Sequence, residues 1–231
     1  MTDVREVVLD TETTGLDVKQ GHKIIEIGCI ELINKAKTGK FFHTYINPKR
    51  EVSKSAYEIH KISDEFLQDK PKFPEIAKDF VNFISNSILI IHNAPFDIQF
   101  LNHELLLLGF SKISNSRVID TLRLARKKFP GSPASLDALC KRFDICLKSR
   151  TKHGALIDSE LLASVYSKLI GKKQNTIPLE KNNSYNNEKF TYKKTNITFP
   201  ERSYALSDNE SKAHEELLLK LNSPLWGSQN N

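Results

Sequence analysis

At 231 residues, with 39% hydrophobic and 27% charged side chains and a net charge of +6, the chain has the composition of a globular protein with room for one domain and an appendage. Its longest apolar runs, ILII and LLLL, fall far short of the roughly 20 residues that span a bilayer, and MTDVREVV lacks the basic-then-apolar pattern of a signal peptide, so neither membrane insertion nor export is expected. Cys29, Cys140 and Cys146 show no CxxC spacing, which argues against a disulfide framework or a zinc site and fits a reducing cytoplasm; a modest positive charge is compatible with a nucleic-acid partner without requiring one.

In chain order, VREVVLD (4–10) reads as a buried strand. KIIEIGCIELI (23–33) alternates and is rich in β-branched residues, and KFFHTYIN (40–47) follows a Thr-Gly turn; the three predict consecutive antiparallel strands. FPEIAKDFVNFI (73–84) has helical spacing, and SILII (87–91) is a short, wholly apolar strand of the kind covered on both faces. PFDIQFLNHELLLLGF (95–110) predicts a helix with Pro95 at its first position and Gly109 near its end. SRVID (116–120) is a strand, TLRLARKKF a helix that Asp120 is placed to cap, SLDALCKRF (135–143) a helix capped by Ser135, and ALIDSELLASVYSKLIG (155–171) the last strong helix of the domain. A meander of strands followed by alternating helices and strands gives an α/β domain with a mixed sheet over residues 1–170. Residues 171–205, rich in Asn and Lys and without a sustained period, read as a flexible linker. In 206–226, Ser207 and Glu210 form a capping-box pattern, and Leu217, Leu218 and Leu221 share a helical face with Trp226 beyond; this segment either folds back on the domain or docks on another protein.

The chemistry begins in VVLDTETTG (7–15). Residues i and i+2 of a strand share a face, so Asp10 and Glu12 project together. Two adjacent carboxylates repel, a conflict that a divalent cation removes, and an all-oxygen donor set suits Mg²⁺ or Mn²⁺ rather than zinc. Asp97, in HNAPFD, falls in the first turn of a helix, where the dipole alone would favour it. His153 and Asp158 stand five positions apart in KHGALIDSELLASVY; on one helix they would diverge by about 140°, so they converge only if His153 lies in the loop ahead of the helix, a path that Gly154 permits.

The joint occurrence of these elements resembles the DEDD exonuclease superfamily in its His-bearing branch, with Asp10 and Glu12 in the first motif, Asp97 in the second and His153 with Asp158 in the third. LDTETTG, GHKIIEIG, IHKISDEFL, IHNAPFDIQFL, ARKKFPG, SLDALC and HGALIDSELLASVY look like the epsilon proofreading subunits of bacterial DNA polymerase III, over nearly all of residues 4–170. The resemblance implies a ribonuclease-H-like fold with a mixed sheet flanked by helices. It implies two divalent cations, Mg²⁺ or Mn²⁺, bound by Asp10, Glu12 and Asp158, with Asp97 completing the site directly or through water. His153 would then be the general base, near neutrality by its class of pKa. Thr11 and Thr13 match positions able to touch the terminal nucleotide, and His60, His92, Asn93 and Phe96 match positions at or near the substrate cleft. The basic cluster in ARKKFPG is placed either near phosphates or on a solvated face.

The implied activity is 3′→5′ DNA exonuclease: mispaired 3′-terminal nucleotides leave as 5′-monophosphates, and the enzyme proofreads for the replicative polymerase. QNTIPL (174–179) looks like a sliding-clamp-binding peptide, and 206–226 like the segment that docks on the polymerase catalytic subunit. Tethering of this kind raises the local concentration of nuclease at the growing end. The implied setting is the bacterial cytoplasm, at the nucleoid-associated replication machinery. An RNA-trimming exoribonuclease of the same superfamily would carry the same acids, although the long tail argues against it. An inert adaptor between clamp and polymerase would not need those acids at all.

Overall fold

The computed structural model describes residues 3–146, 153–171 and 207–220. Five strands lie in the order β3-β2-β1-β4-β5. β1 (Arg5–Thr13) pairs antiparallel with β2 (Ile24–Ile33), which pairs antiparallel with β3 (Ala36–Tyr45), while β4 (Ile88–Ile91) runs parallel to β1 and β5 (Val118–Asp120) parallel to β4. The mixed sheet follows from the connections. A two-residue turn suffices for an antiparallel return, whereas β4 and β5 are reached through helices.

Alternation along β1 sorts the core into two layers. Val7 and Leu9 pack with Ile27, Leu89 and Ile91 under α3 (Phe73–Ile84) and α4 (Ala94–Leu107). Val8 faces the other way, with Leu32 and Ile90, under α5 (Thr121–Lys128), α6 (Leu136–Arg142) and α7 (Ala155–Leu169). In α3 the spacing Phe73, Ala77, Phe80, Ile84 puts one stripe on the sheet; the fully buried Phe80 alone contributes roughly 1.5–3 kcal/mol of apolar burial. The predicted caps form: Asp120 accepts from Leu122 N (2.9 Å) and Ser135 from Ala138 N (3.3 Å).

Three sequence expectations change. β1 does not stop at Asp10 but stays paired with β2 through Thr13, so both acids lie within a hydrogen-bonded strand. The β2–β3 turn is at Asn34-Lys35, both with positive φ (48° and 69°), rather than at Thr38-Gly39; that backbone matches the twist of a tight hairpin, and Asn34 Oδ1 secures it by accepting from Val4 N (3.1 Å). Finally, α1 (Lys54–His60) and α2 (Asp64–Leu67) occupy a stretch to which the sequence pattern assigned no element. Both are short and Ser-capped, and their apolar pattern is too brief to show a helical period. Beyond the domain, α8 (Asp208–Lys220) begins with the expected capping box, Ser207 N donating to Glu210 Oε2 (2.9 Å). The peptide 174–179, the rest of 171–205 beyond Gly171, and Leu221 and Trp226 lie outside the described residues.

Candidate active site

The acids gather at the carboxyl ends of β1 and β4, where the parallel and antiparallel halves of the sheet meet. Asp10 and Glu12 point toward the α7 side. Asp10 stands opposite Gly28 of β2, and the room for α7 depends on that glycine: a Cβ there would lie 2.3 Å from the Ala155 carbonyl carbon. Ser159 Oγ donates to Gly28 O (2.9 Å), fixing the same contact from the helix side. Close approach of this first turn brings Asp158 to Asp10 and Glu12. Neither Gly28 nor Ser159 stood out in the sequence, though a glycine inside a buried strand is a signal of close backbone approach.

His153 lies ahead of α7, as the five-residue spacing requires, and its Nδ1 is 3.1 Å from Asp158 Oδ2. One potential ligand atom from each of Glu12, His153 and Asp158 falls within 4.8 Å of the others. Gly154 caps the helix in an extended conformation (φ −167°) that any residue adopts, and a Cβ there would sit 3.8 Å from the Glu26 carboxylate, an ordinary contact. The path of His153 therefore does not require a glycine at 154, although Gly154 permits it.

Thr11, on the opposite face of β1, reaches Asp97 at the start of α4. Both its N–H (3.0 Å) and its hydroxyl (2.7 Å) donate to Asp97 Oδ1. Both donors of Thr11 are therefore engaged by the Asp97 carboxylate. Burial pushes Asp97 up to about 7 despite those two hydrogen bonds. Asp10 is raised well above the usual carboxylate range, first by burial and then by the charges of Asp97, Glu12, Asp158 and Glu26. Glu26 is a further missed acid. It sits across β1–β2 from Glu12, buried, with Oε1 2.8 Å from His43 Nε2.

Two cavities flank the acids. One of about 140 Å³ is lined by Glu12, Thr13, Leu16, Ile59, His60 and Phe96. Thr13 closes the turn beneath it by donating to Gly15 O (2.7 Å). His60 ends α1, is 2% exposed and accepts from Ile62 N (3.0 Å), and burial lowers its pKa. Phe96, partly buried, packs against Phe100 at 5.1 Å. The other cavity, about 430 Å³, is lined by Asp10, His153 and Asp158 and by His92, Asn93 and Arg126 beyond them. His92 Nδ1 is 2.9 Å from Thr121 Oγ1, and burial lowers its pKa. Asn93 adopts φ 65°, pinned through its N–H to Asp120 Oδ1 (3.2 Å).

The exonuclease family profile RNase_T matches residues 7–166. The chain is 52% identical over 227 residues to the DNA polymerase III subunit epsilon of Rickettsia typhi, covering 96% of this chain and 98% of that one. It belongs to the DNA polymerase III epsilon family of exonucleases. The epsilon subunit of Escherichia coli K12 is 48% identical over 174 residues, 72% of each chain. Among solved structures, exonuclease X in complex with 5′ overhanging duplex DNA aligns with 71% of this chain and 90% of its own, at 25% identity and a TM-score of 0.56. The nuclease domain of 3′hExo, a DEDDh family member bound to rAMP, shares the fold at 17% identity and a TM-score of 0.61, covering 72% and 91%. The protein is thus a 3′→5′ exonuclease of the epsilon family, and that family's chemistry uses divalent metal ions.

Proposed function

We propose that Asp10, Glu12 and Asp158 bind two divalent cations, Mg²⁺ or Mn²⁺, that Asp97 completes the site, and that His153 is the general base which removes mispaired 3′-terminal nucleotides as 5′-monophosphates. The convergence of Glu12, His153 and Asp158 within 4.8 Å carries this reading. The donor set fits hard cations, and the raised Asp10, ringed by four other carboxylates, describes a cluster that added positive charge would relieve. Bound there, the cations would supply charge to the phosphoryl oxygens and the leaving 3′ oxygen. Thr11 keeps Asp97 in one orientation. Asp158 Oδ2 accepts from His153 Nδ1–H, so Nε2 is the nitrogen that takes the proton of the attacking water. The small cavity beside Glu12, with Leu16, Ile59 and Phe96 for walls, suits the terminal base, with His60 at its edge; Thr13 shapes its floor, and His92 and Asn93 face the strand on the other side. DNA is the substrate and the replicative polymerase the partner that epsilon relatives support. Tail contacts with the polymerase catalytic subunit through 206–226 and with the clamp through 174–179 complete the assignment, in the bacterial cytoplasm at the replication machinery.

The test is a substrate panel: 5′-labelled single-stranded DNA, a mispaired primer–template and RNA, each with Mg²⁺ and with EDTA. DNA shortened stepwise, faster from the mispaired end and only with metal, is the expected result. Degradation of RNA alone overturns the substrate class, and activity that persists in EDTA overturns the metal site.

A further inference from the structure

The acids lie between two unlike cavities. The smaller, on the Glu12 side, is largely apolar and has the dimensions of a base. The larger, about 430 Å³, opens on the other side and carries Arg126 in its wall. A strand whose last base fills the first and whose scissile phosphate meets Asp10 and Asp158 must send its next nucleotides past the second.

Arg126 sits on α5, whose start is fixed twice over. Asp120 caps it, and the same Asp120 Oδ1 accepts from Asn93 N, tying α5 to the end of β4. On the buried side of the helix Ala125 is fully enclosed against the sheet, so the next residue projects outward along the cavity wall. Among the described residues no carboxylate forms an ion pair with the Arg126 guanidinium. The contrast with its neighbours is informative. Lys128 donates to the carbonyls that end α7, and Arg142 stacks on Phe129 at 4.4 Å, so both have structural work. An arginine without such work, facing the cavity that holds the nucleolytic acids, is a planar donor array matched to a phosphodiester.

We propose that Arg126 binds a backbone phosphate of the substrate strand on the 5′ side of the bond that is cut. This rests on the reading of the acids as the catalytic centre. Arg126 offsets the negative charge that Asp10 and Asp158 present to an approaching strand, and it fixes the strand upstream of the reacting phosphate. It contributes mainly to substrate capture, because the upstream phosphate changes no charge as the bond breaks.

The experiment measures kcat and KM for the thymidine series TpT, TpTpT and TpTpTpT, in which each member adds one upstream phosphate, with the wild type, Arg126→Gln and Arg126→Lys. In the wild type, KM is expected to drop at one step of the series. Arg126→Gln should erase that step, raising KM for the longer members about tenfold, the usual value of one charged hydrogen-bonded contact, with kcat within about twofold. Arg126→Lys should restore part of the step. The slope of log(kcat/KM) against log salt for the longest member should flatten by about 0.7 in Arg126→Gln. Equal loss by Arg126→Gln on every member, TpT included, or an unchanged salt slope, overturns the proposal. If Asp158→Ala degrades the series as fast as the wild type, it is the catalytic reading of the cavity that fails, and the arginine with it.

Discussion

Opposite ends of the same two strands each hold a cluster of carboxylates, and the sheet treats them in opposite ways. At the far end, buried Glu6 accepts from the Tyr166 hydroxyl (2.7 Å) with Lys35 Nζ at 3.5 Å, and buried Glu31 accepts from Arg5 Nε (2.6 Å) and Thr38 Oγ1 (2.8 Å) with Lys40 Nζ at 3.8 Å. Burial pushes Glu31 up, but the bonds from Arg5 and Thr38 and the charges of Arg5 and Lys40 outweigh it, and its carboxyl is held below the ordinary value. At the near end Asp10 is surrounded by other acids and raised, and Asp97 is raised to about 7 although two donors reach it. Glu6, Glu31 and Asp97 are all closed off from solvent, but only the far-end acids are met by cations. A carboxylate cluster supplied with its own cations is part of the scaffold, whereas one whose surrounding charges are further carboxylates is built to receive positive charge from outside.

The sharpest way to break that contrast is to remove a near-end acid. Asp10→Ala and Asp158→Ala should each lower exonuclease rate by more than ~10³-fold while the metal-free protein keeps its melting temperature, because repulsion is lost along with a ligand. A variant that stays folded and keeps its turnover would show that the near cluster is scaffold too. The same asymmetry predicts a pH dependence. Asp97 has a folded pKa of about 7 against an ordinary 3.8, so its contribution to stability is fully present below about pH 4 and is lost as pH rises toward 7. In EDTA the wild type should lose stability across that window, and Asp97→Asn should flatten the slope. Thermal melts at stepped pH measure both. Next in size is His153→Ala, for which a loss of exonuclease rate on the order of 10²–10⁴-fold is expected in a steady-state assay. An unchanged rate would remove His153 from the mechanism and leave its 3.1 Å contact with Asp158 a structural one.

Spacing alone puts Asp10 and Glu12 on one strand face and keeps His153 off the helix that carries Asp158, but each signal is weak by itself, and Asp97 joins the set only through the resemblance to a known family. The longer elements were legible because the stripe of α3 and the apolar run of β4 carry their own period. What was not legible depends on who stands opposite. The role of Gly28 needs Ala155 packed on it, and the two bonds from Thr11 need Asp97 brought over from α4. The burial of His60 leaves no mark in the sequence because α1 is too short for its pattern to register and the enclosure comes from the surrounding fold rather than from its sequence neighbours.

The smallest expected effect on activity lies at the far cluster, and it tests whether compensation there is purely structural. Tyr166 belongs to the same helix as Asp158, and burial together with Glu6 raises its hydroxyl well above the usual range, so it remains a donor at every working pH. Tyr166→Phe deletes that donor and leaves buried Glu6 with Lys35, whose side chain is half exposed, as its cation. The cost should be about 1–3 kcal/mol, seen as a lower urea midpoint with an unchanged m-value. Degradation of single-stranded DNA at 25 °C should be unaffected, because Asp158 is positioned by its own turn of α7 through the Ala155–Gly28 approach and the Ser159–Gly28 hydrogen bond, and neither involves Tyr166. A fall in rate without a fall in stability would mean that α7 transmits the state of one cluster to the other. The two ends of the sheet would then have to be treated as one electrostatic unit.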